Sequence, residues 1–165
     1  MATRRHGREW ALQMLVQADL NPGMDLDATI PKFWKQQWTC RMEEKDERGE
    51  DLAPPSKGRV EDQVAPLKIR IFTEALVRGV SGQMGEIDAK IEEYTQNWSI
   101  HRIGSVERNV LRLAFYELLF CPDVPPPVAI NEAIDLAKYF SNAEAGRFIN
   151  GILDKLNQDL RASRS

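Results

Sequence analysis

Cysteine and histidine are scarce, with two of each in 165 residues. Cys40 and Cys121 stand far apart, with no CxxC pair and no clustered histidine, so neither a zinc site nor a disulfide framework can be built from them. They read as reduced thiols in a cytosolic setting. His6 and His101 are equally isolated and give little material for a general base or a ligand set. There is no glycine-rich nucleotide loop, no HExxH and no nucleophile elbow. Carboxylates are abundant, but none of their spacings marks an acid–base pair. No catalytic residue, metal or cofactor is therefore expected, and the chain reads as a binder and not an enzyme. No apolar run is long enough to span a bilayer, and no segment has the charged, apolar, small layout of a signal peptide. The expected compartment is the cytoplasm. An excess of positive charge is also lacking: 22 Lys and Arg face 25 Asp and Glu, a net charge of −3. That excludes a surface uniformly coated for nucleic acid, though not a local basic patch.

What is present is helical periodicity, with no strand-like alternation beyond a few residues and no internal repeat. The stretch Asn109–Phe120 is apolar at Val110, Leu111, Leu113, Ala114, Phe115, Leu118, Leu119 and Phe120, which leaves no polar stripe of ordinary width. A helix apolar nearly all round is buried among other helices. The other helices are legible around it. Ala11, Leu15 and Ala18 share a face with Trp10 and Met14 beside them, ended by Asn21-Pro22-Gly23. A second helix carries Ile30, Phe33, Trp34 and Trp38 as core, with Asp27 as its N-cap. A third opens with Pro66 in its first position and buries Ile69, Phe72, Leu76 and Val80. A fourth, 83–97, buries Met84, Ile87, Ile91, Tyr94 and Trp98. Ser105 caps the central helix. Pro125-Pro126-Pro127 form an extended corner before a helix striped with Ile130, Ala133, Ile134 and Ala137. The last helix starts near Ala143 and buries Phe148, Ile149, Ile152, Leu153, Leu156 and Leu160, with Gly151 expected at a close helix contact. The predicted fold is all-α: one domain over 1–165, a bundle of about seven helices around a buried central one.

Two segments break this pattern. Between Arg41 and Gln63 the periodicity vanishes, and Glu43, Glu44, Asp46, Glu47, Glu50 and Asp51 face only Lys45 and Arg48. This 41–63 stretch is expected to be an acidic, mobile insertion, unable to bury enough apolar area to offset its ordering entropy. At the other extreme, Arg4, Arg5 and Arg8 crowd the start of the first helix, where cations oppose the helix dipole. A cluster placed against local electrostatics points to an anionic partner, although a solvated tail would look the same.

Four pieces in order resemble the NusB family of bacterial antitermination factors. They are Arg4-Arg5 with Arg8-Glu9 and Ala11-Leu12-Gln13 with Leu15; Trp98 with Ile100 and Arg102-Ile103; Val110-Leu111-Arg112-Leu113-Ala114 with Tyr116-Glu117-Leu118; and Val124-Pro125 with Val128-Ala129-Ile130-Asn131-Glu132-Ala133-Ile134 and Leu136-Ala137-Lys138, running on to Phe148-Ile149-Asn150-Gly151-Ile152-Leu153-Asp154. The resemblance spans about residues 3 to 157, the acidic insertion apart. It implies an RNA-binding protein without enzymatic activity, which recognises boxA-type RNA of ribosomal RNA leader transcripts. It implies that this happens together with NusE, a small-subunit ribosomal protein, within an RNA polymerase antitermination complex. Carried over by position, Arg4, Arg5 and Arg8 match the basic arm and would contact phosphates. Arg147 and Phe148 match a basic–aromatic pair that would hold backbone and a splayed base, although Phe148 also fits the core stripe. Glu144 falls close to the RNA and would restrain affinity. Glu107 and Arg112 match charged positions that would pair with NusE. His6-Gly7 and the long acidic insertion depart from the family pattern. A helical scaffold that binds only protein, and a surface that pairs with a second copy of the chain, remain open beside this reading.

Overall fold

The computed structural model describes residues 2–48, 64–96 and 98–164. Its helices are α1 (Arg4–Leu20), α2 (Leu26–Glu47), α3 (Leu67–Gly82), α4 (Met84–Glu93), α5 (Ser105–Phe120), α6 (Pro126–Phe140) and α7 (Ala143–Arg164), with a 3₁₀ turn at Ile100–Arg102 between α4 and α5. No strand occurs among the described residues. The architecture is thus the all-α bundle that the periodicity predicts.

The central helix is α5, in contact with α1, α3, α4, α6 and α7. Val110, Leu111 and Phe115 are fully enclosed, and Leu113, Ala114 and Leu118 nearly so. Each large apolar side chain so buried stabilises the fold by about 1.5–3 kcal/mol. Because α5 is covered on all sides, its polar residues are buried with the rest: Asn109, Arg112 and Glu117. A buried polar group is tolerated only when it is paired, and each of these is. Glu117 accepts from Arg8 Nε of α1 at 2.9 and 3.2 Å. Arg112 donates to both oxygens of Asp88 on α4 at 2.8 and 2.9 Å. Asp19, at the end of α1, gathers Arg108, Asn109 and Arg112 together.

The helix ends differ from the sequence reading in instructive ways. Asp25, not Asp27, caps α2, its Oδ1 accepting from the Asp27 amide at 3.0 Å. Pro66 is the cap of α3 and not its first residue, and Gly104 takes the cap of α5 expected of Ser105. Only Pro125 is extended. Pro126 and Pro127 fall inside the first turn of α6, where the amides they lack would have had no helical partner. Asn142 caps α7 by accepting from the Ala145 amide at 2.8 Å.

The expected loop at 41–63 starts as helix instead. α2 continues through Arg41–Glu47 because Glu, Lys, Arg and Met are good helix formers even where no apolar face is needed. Arg41 donates to the Val64 carbonyl at 3.3 Å, which ties this extension back to the chain before α3. The remainder of the expected insertion, 49–63, lies outside the described residues.

The glycines also redistribute. Gly151 faces open space and not a neighbouring helix, since a Cβ there would meet nothing within 4 Å. The close approach is at Gly79, where a Cβ would fall 2.1 Å from the Tyr116 ring, itself stacked on Phe120. Gly7 plays the same part between α1 and α3, where a Cβ would lie 2.8 Å from Phe72. The His6-Gly7 pair thus has a structural reason. His6 completes a capping box with Thr3, and Gly7 lets the two helices meet.

Candidate nucleic-acid interface

The three arginines of the arm meet three different fates, set by helical geometry. Residues four apart share a face, so Arg4 and Arg8 both point toward α3, where their guanidinium carbons sit 5.1 and 5.3 Å from the Phe72 ring centre. Arg4 stays exposed. Arg8, one turn deeper, has a side chain only 5% exposed and is bound to Glu117. Its expected phosphate contact is corrected: the guanidinium is inside the bundle and neutralised there. Arg5 faces the opposite side. It remains half exposed, yet it donates to Glu132 at 3.0 Å and to Asp135 at 2.9 Å on α6.

The start of α7 lies on the same flank. Arg5 and Asn150 line one open cleft along α6, and Asn150 is a helical neighbour of Arg147, three residues away. Arg147, Phe148 and Glu144 are all exposed. Phe148, expected either in the core or at a ligand, stands at the rim with 38% of its surface accessible.

Across from it is a side chain that the sequence reading misplaced. The helical spacing places Trp98 on the buried face of α4, but it is 59% exposed. The reason is local. α4 stops at Glu93, and Gln96 takes a left-handed conformation, φ 51°, that turns the chain away from the helical path. Side chains then fix the connector. Thr95 Oγ1 donates to the Trp98 carbonyl at 2.9 Å, Glu92 accepts from the Ile100 amide at 2.9 Å, and Arg108 donates to the Ile103 carbonyl at 2.8 Å.

Trp98 and Phe148 border two clefts. One, about 310 Å³, is lined by Tyr94, Thr95, Gln96, Arg147, Gly151, Ile152 and Lys155 besides these two rings, and it contains no carboxylate. The other, about 350 Å³, carries Arg102 with Glu107 and Glu144. Such a surface offers planar apolar faces and mobile cations side by side, the combination that suits a polyanion with exposed rings.

The two expected protein-partner residues are separated. Glu107 accepts from Ser141 Oγ at 2.6 Å and lines the Arg102 cleft, next to Glu144. Arg112 is 5% exposed, with Asp88 and Asp19 around it, so its expected ion pair with a partner is corrected to an internal one. The sequence held a signal for both buried arginines. Arg8 stands three and seven residues before Ala11 and Leu15, on their stripe, and Arg112 lies on a helix with no solvent face.

Tyr94, in the wall of the 310 Å³ cleft, fastens the end of α4 to α7 by donating to Asp159 at 2.5 Å. Burial and then this carboxylate push its hydroxyl up to about 12. A raised value favours the protonated phenol. The stability it contributes is complete below the ordinary tyrosine value of about 10 and is lost as pH rises through 12. Tyr94→Phe is expected to flatten the fall of Tm between pH 10 and 12. An alkaline limb as steep as that of the unaltered protein would rule the contact out.

Among the described residues no helix is long and apolar enough to cross a membrane, and no group of three His, Cys, Asp or Glu could hold a metal ion. Comparison with known proteins gives a consistent result. The NusB family model matches residues 5–158. The transcription antitermination protein NusB of Desulfatibacillum aliphaticivorans is 39% identical over 160 residues, covering 97% of this chain and 93% of that protein. Among solved structures, T. maritima NusB superposes with a TM-score of 0.69 at 31% identity, covering 95% of this chain and 92% of that one. A structure of the antitermination factors NusB and NusE in complex with double-stranded RNA matches with a TM-score of 0.66 at 26% identity, covering 94% and 96%.

Proposed function

The chain belongs to the NusB family, and from that membership we propose that it is an RNA-binding transcription antitermination factor. It takes boxA-type RNA of ribosomal RNA leader transcripts together with NusE, and with NusE it joins the RNA polymerase antitermination complex in the cytoplasm. The observation that carries this reading is the exposed flank of α7, where Arg147, Lys155 and Phe148 border one cleft without a carboxylate. Phosphates meet the cations, and an unpaired base meets the ring.

Arg5 extends the same surface at its other end, and Arg4 offers a further exposed cation on the α3 side of α1. Arg5 starts out bound to Glu132 and Asp135. A phosphate must displace two carboxylates to reach it, so the arm alone binds weakly. NusE therefore supplies part of the RNA surface. Glu144 lies close to the cations and holds affinity down by repelling phosphate.

The test is binding of a single-stranded boxA-type RNA at 50 and 200 mM salt, with and without NusE. Binding is expected to be tighter with NusE and to weaken steeply with salt. Arg5→Ala is expected to lower the logarithmic salt slope by about 0.7, the loss of one phosphate contact on single-stranded nucleic acid. Binding to NusE with no RNA affinity under either condition would leave a protein-binding scaffold instead.

A further inference from the structure

Two features of the α7 flank serve no purpose in packing. Trp98 leaves more than half of its surface in water, and an exposed indole forgoes the burial that makes tryptophan stabilising. Gly151 sits in the middle of a 22-residue helix, where glycine costs about 1 kcal/mol relative to alanine, and nothing lies near enough to require its small size. Both border the same cleft of about 310 Å³. The backbone that carries Trp98 is held in place. The left-handed Gln96 is stabilised by hydrogen bonds on both sides of the turn, with the Trp98 amide donating to the Thr95 carbonyl at 3.1 Å and the Thr95 hydroxyl donating back to the Trp98 carbonyl. These bonds hold the backbone at Trp98 and leave its indole at the cleft rim.

We propose that Trp98 is a base-stacking residue. One unpaired nucleobase of the bound RNA enters the cleft between Trp98 and Phe148 and lies on the indole, and the missing side chain of Gly151 leaves it room. Arg147 and Lys155 meet the phosphates on either side of that base. The charge of the cleft selects this occupant: two cations and no carboxylate line it, beside two exposed aromatic rings. An apolar peptide would have no use for the cations, and an acidic peptide none for the indole. The assignment rests on the RNA-binding reading above and adds to it a second aromatic face, a place for the base and a reason for Gly151.

The experiment uses the full chain with NusE and a single-stranded boxA-type RNA. Trp98→Ala is expected to weaken RNA binding roughly tenfold, within the range found for removal of one stacked base, while leaving the salt slope unchanged because stacking releases no counterion. Trp98→Phe keeps a ring and is expected to retain most of the affinity. RNA is expected to quench tryptophan fluorescence in the unaltered protein and not in Trp98→Phe, since Trp10 and Trp34 are buried and Trp38, half-buried against the core, does not line the cleft. Gly151→Leu, a better helix former, is expected to raise Tm or leave it unchanged and to weaken RNA binding. If wild-type affinity survives both Trp98→Ala and Gly151→Leu, the stacking assignment is overturned and the RNA reading stands. If Trp98→Ala weakens NusE binding and spares the RNA, the cleft belongs to the protein partner and the proposal fails. No RNA affinity in the wild type overturns both readings.

Discussion

Glu117→Ala is expected to cost the fold about 3–5 kcal/mol, because it strands the Arg8 guanidinium inside the bundle. In a domain of this size that is a fall in Tm of roughly 6–20 °C. The geometry sets the magnitude. Both side chains are at most 5% exposed, and Arg8 Nε lies 2.9 Å from the nearer carboxylate oxygen. Burial pushes the Glu117 carboxyl up, and Arg8 pulls it back only in part. The pair therefore contributes less than its charges suggest, and most of the expected loss comes from leaving one charge unpaired. Replacing both partners with apolar residues of similar size, Arg8→Met with Glu117→Leu, is expected to restore most of the stability. The double variant also decides the part of Arg8 in RNA binding. An internal arginine predicts RNA affinity close to that of the unaltered protein. A loss as large as that of Arg5→Ala would mean that Arg8 leaves Glu117 to meet a phosphate.

Asp19→Ala is expected to lower stability by about 3 kcal/mol, and Tm by roughly 6–12 °C. Asp19 Oδ2 accepts from Arg108 Nε at 2.8 Å and from Asn109 Nδ2 at 3.0 Å, and Oδ1 lies 3.3 Å from Arg112. Arg108 keeps backbone carbonyls and Arg112 keeps Asp88, so the loss stays below that of a fully orphaned pair. Burial alone would raise the Asp19 carboxyl, but hydrogen bonds from Arg108 and Asn109 and the charge of Arg112 outweigh it and hold it below the usual range. A depressed value means stability present above the ordinary aspartate value of about 3.9 and lost as pH falls through the lower one. Asp19→Asn keeps the shape and removes the charge, so its Tm deficit should be full at neutral pH and shrink in acid. A deficit constant down to pH 2 would show that the exchange of an acceptor oxygen for an amide donor, and not the lost charge, sets the loss at this position.

These two clusters also mark where sequence reading succeeded and where it stopped. The apolar stripes of α1, α5, α6 and α7 were legible because each repeats at helical spacing over several turns, and the absence of a polar face on α5 placed it at the centre. A charged residue on such a stripe carries a signal of burial, but which partner it meets depends on which helices pack together, and no spacing within one helix encodes that. Arg8 and Glu117 are 109 positions apart. Trp98 failed for a different reason. Tyr94 and Trp98 have helical spacing, but one left-handed residue between them cancels the register. The arm was legible from its charge against the helix dipole and the α7 pair only by resemblance, and the flank that Arg5 shares with α7 became visible once α6 had brought Arg5 beside Asn150.

The wide separation between α1 and its partners has a consequence for synthesis on the ribosome. α1 emerges well before α5, and the α5 residues that neutralise it follow about a hundred positions later: Arg108 for Asp19, and Glu117 for Arg8. At translation rates of about 5–20 residues per second, α1 waits on the order of 5–20 s for α5, with only α2 and α3 to pack against it before then. During that interval Asp19 and Arg8 lack the partners that neutralise them in the finished fold. Codon changes that slow elongation between α1 and α5 are expected to lower soluble yield without altering the finished protein.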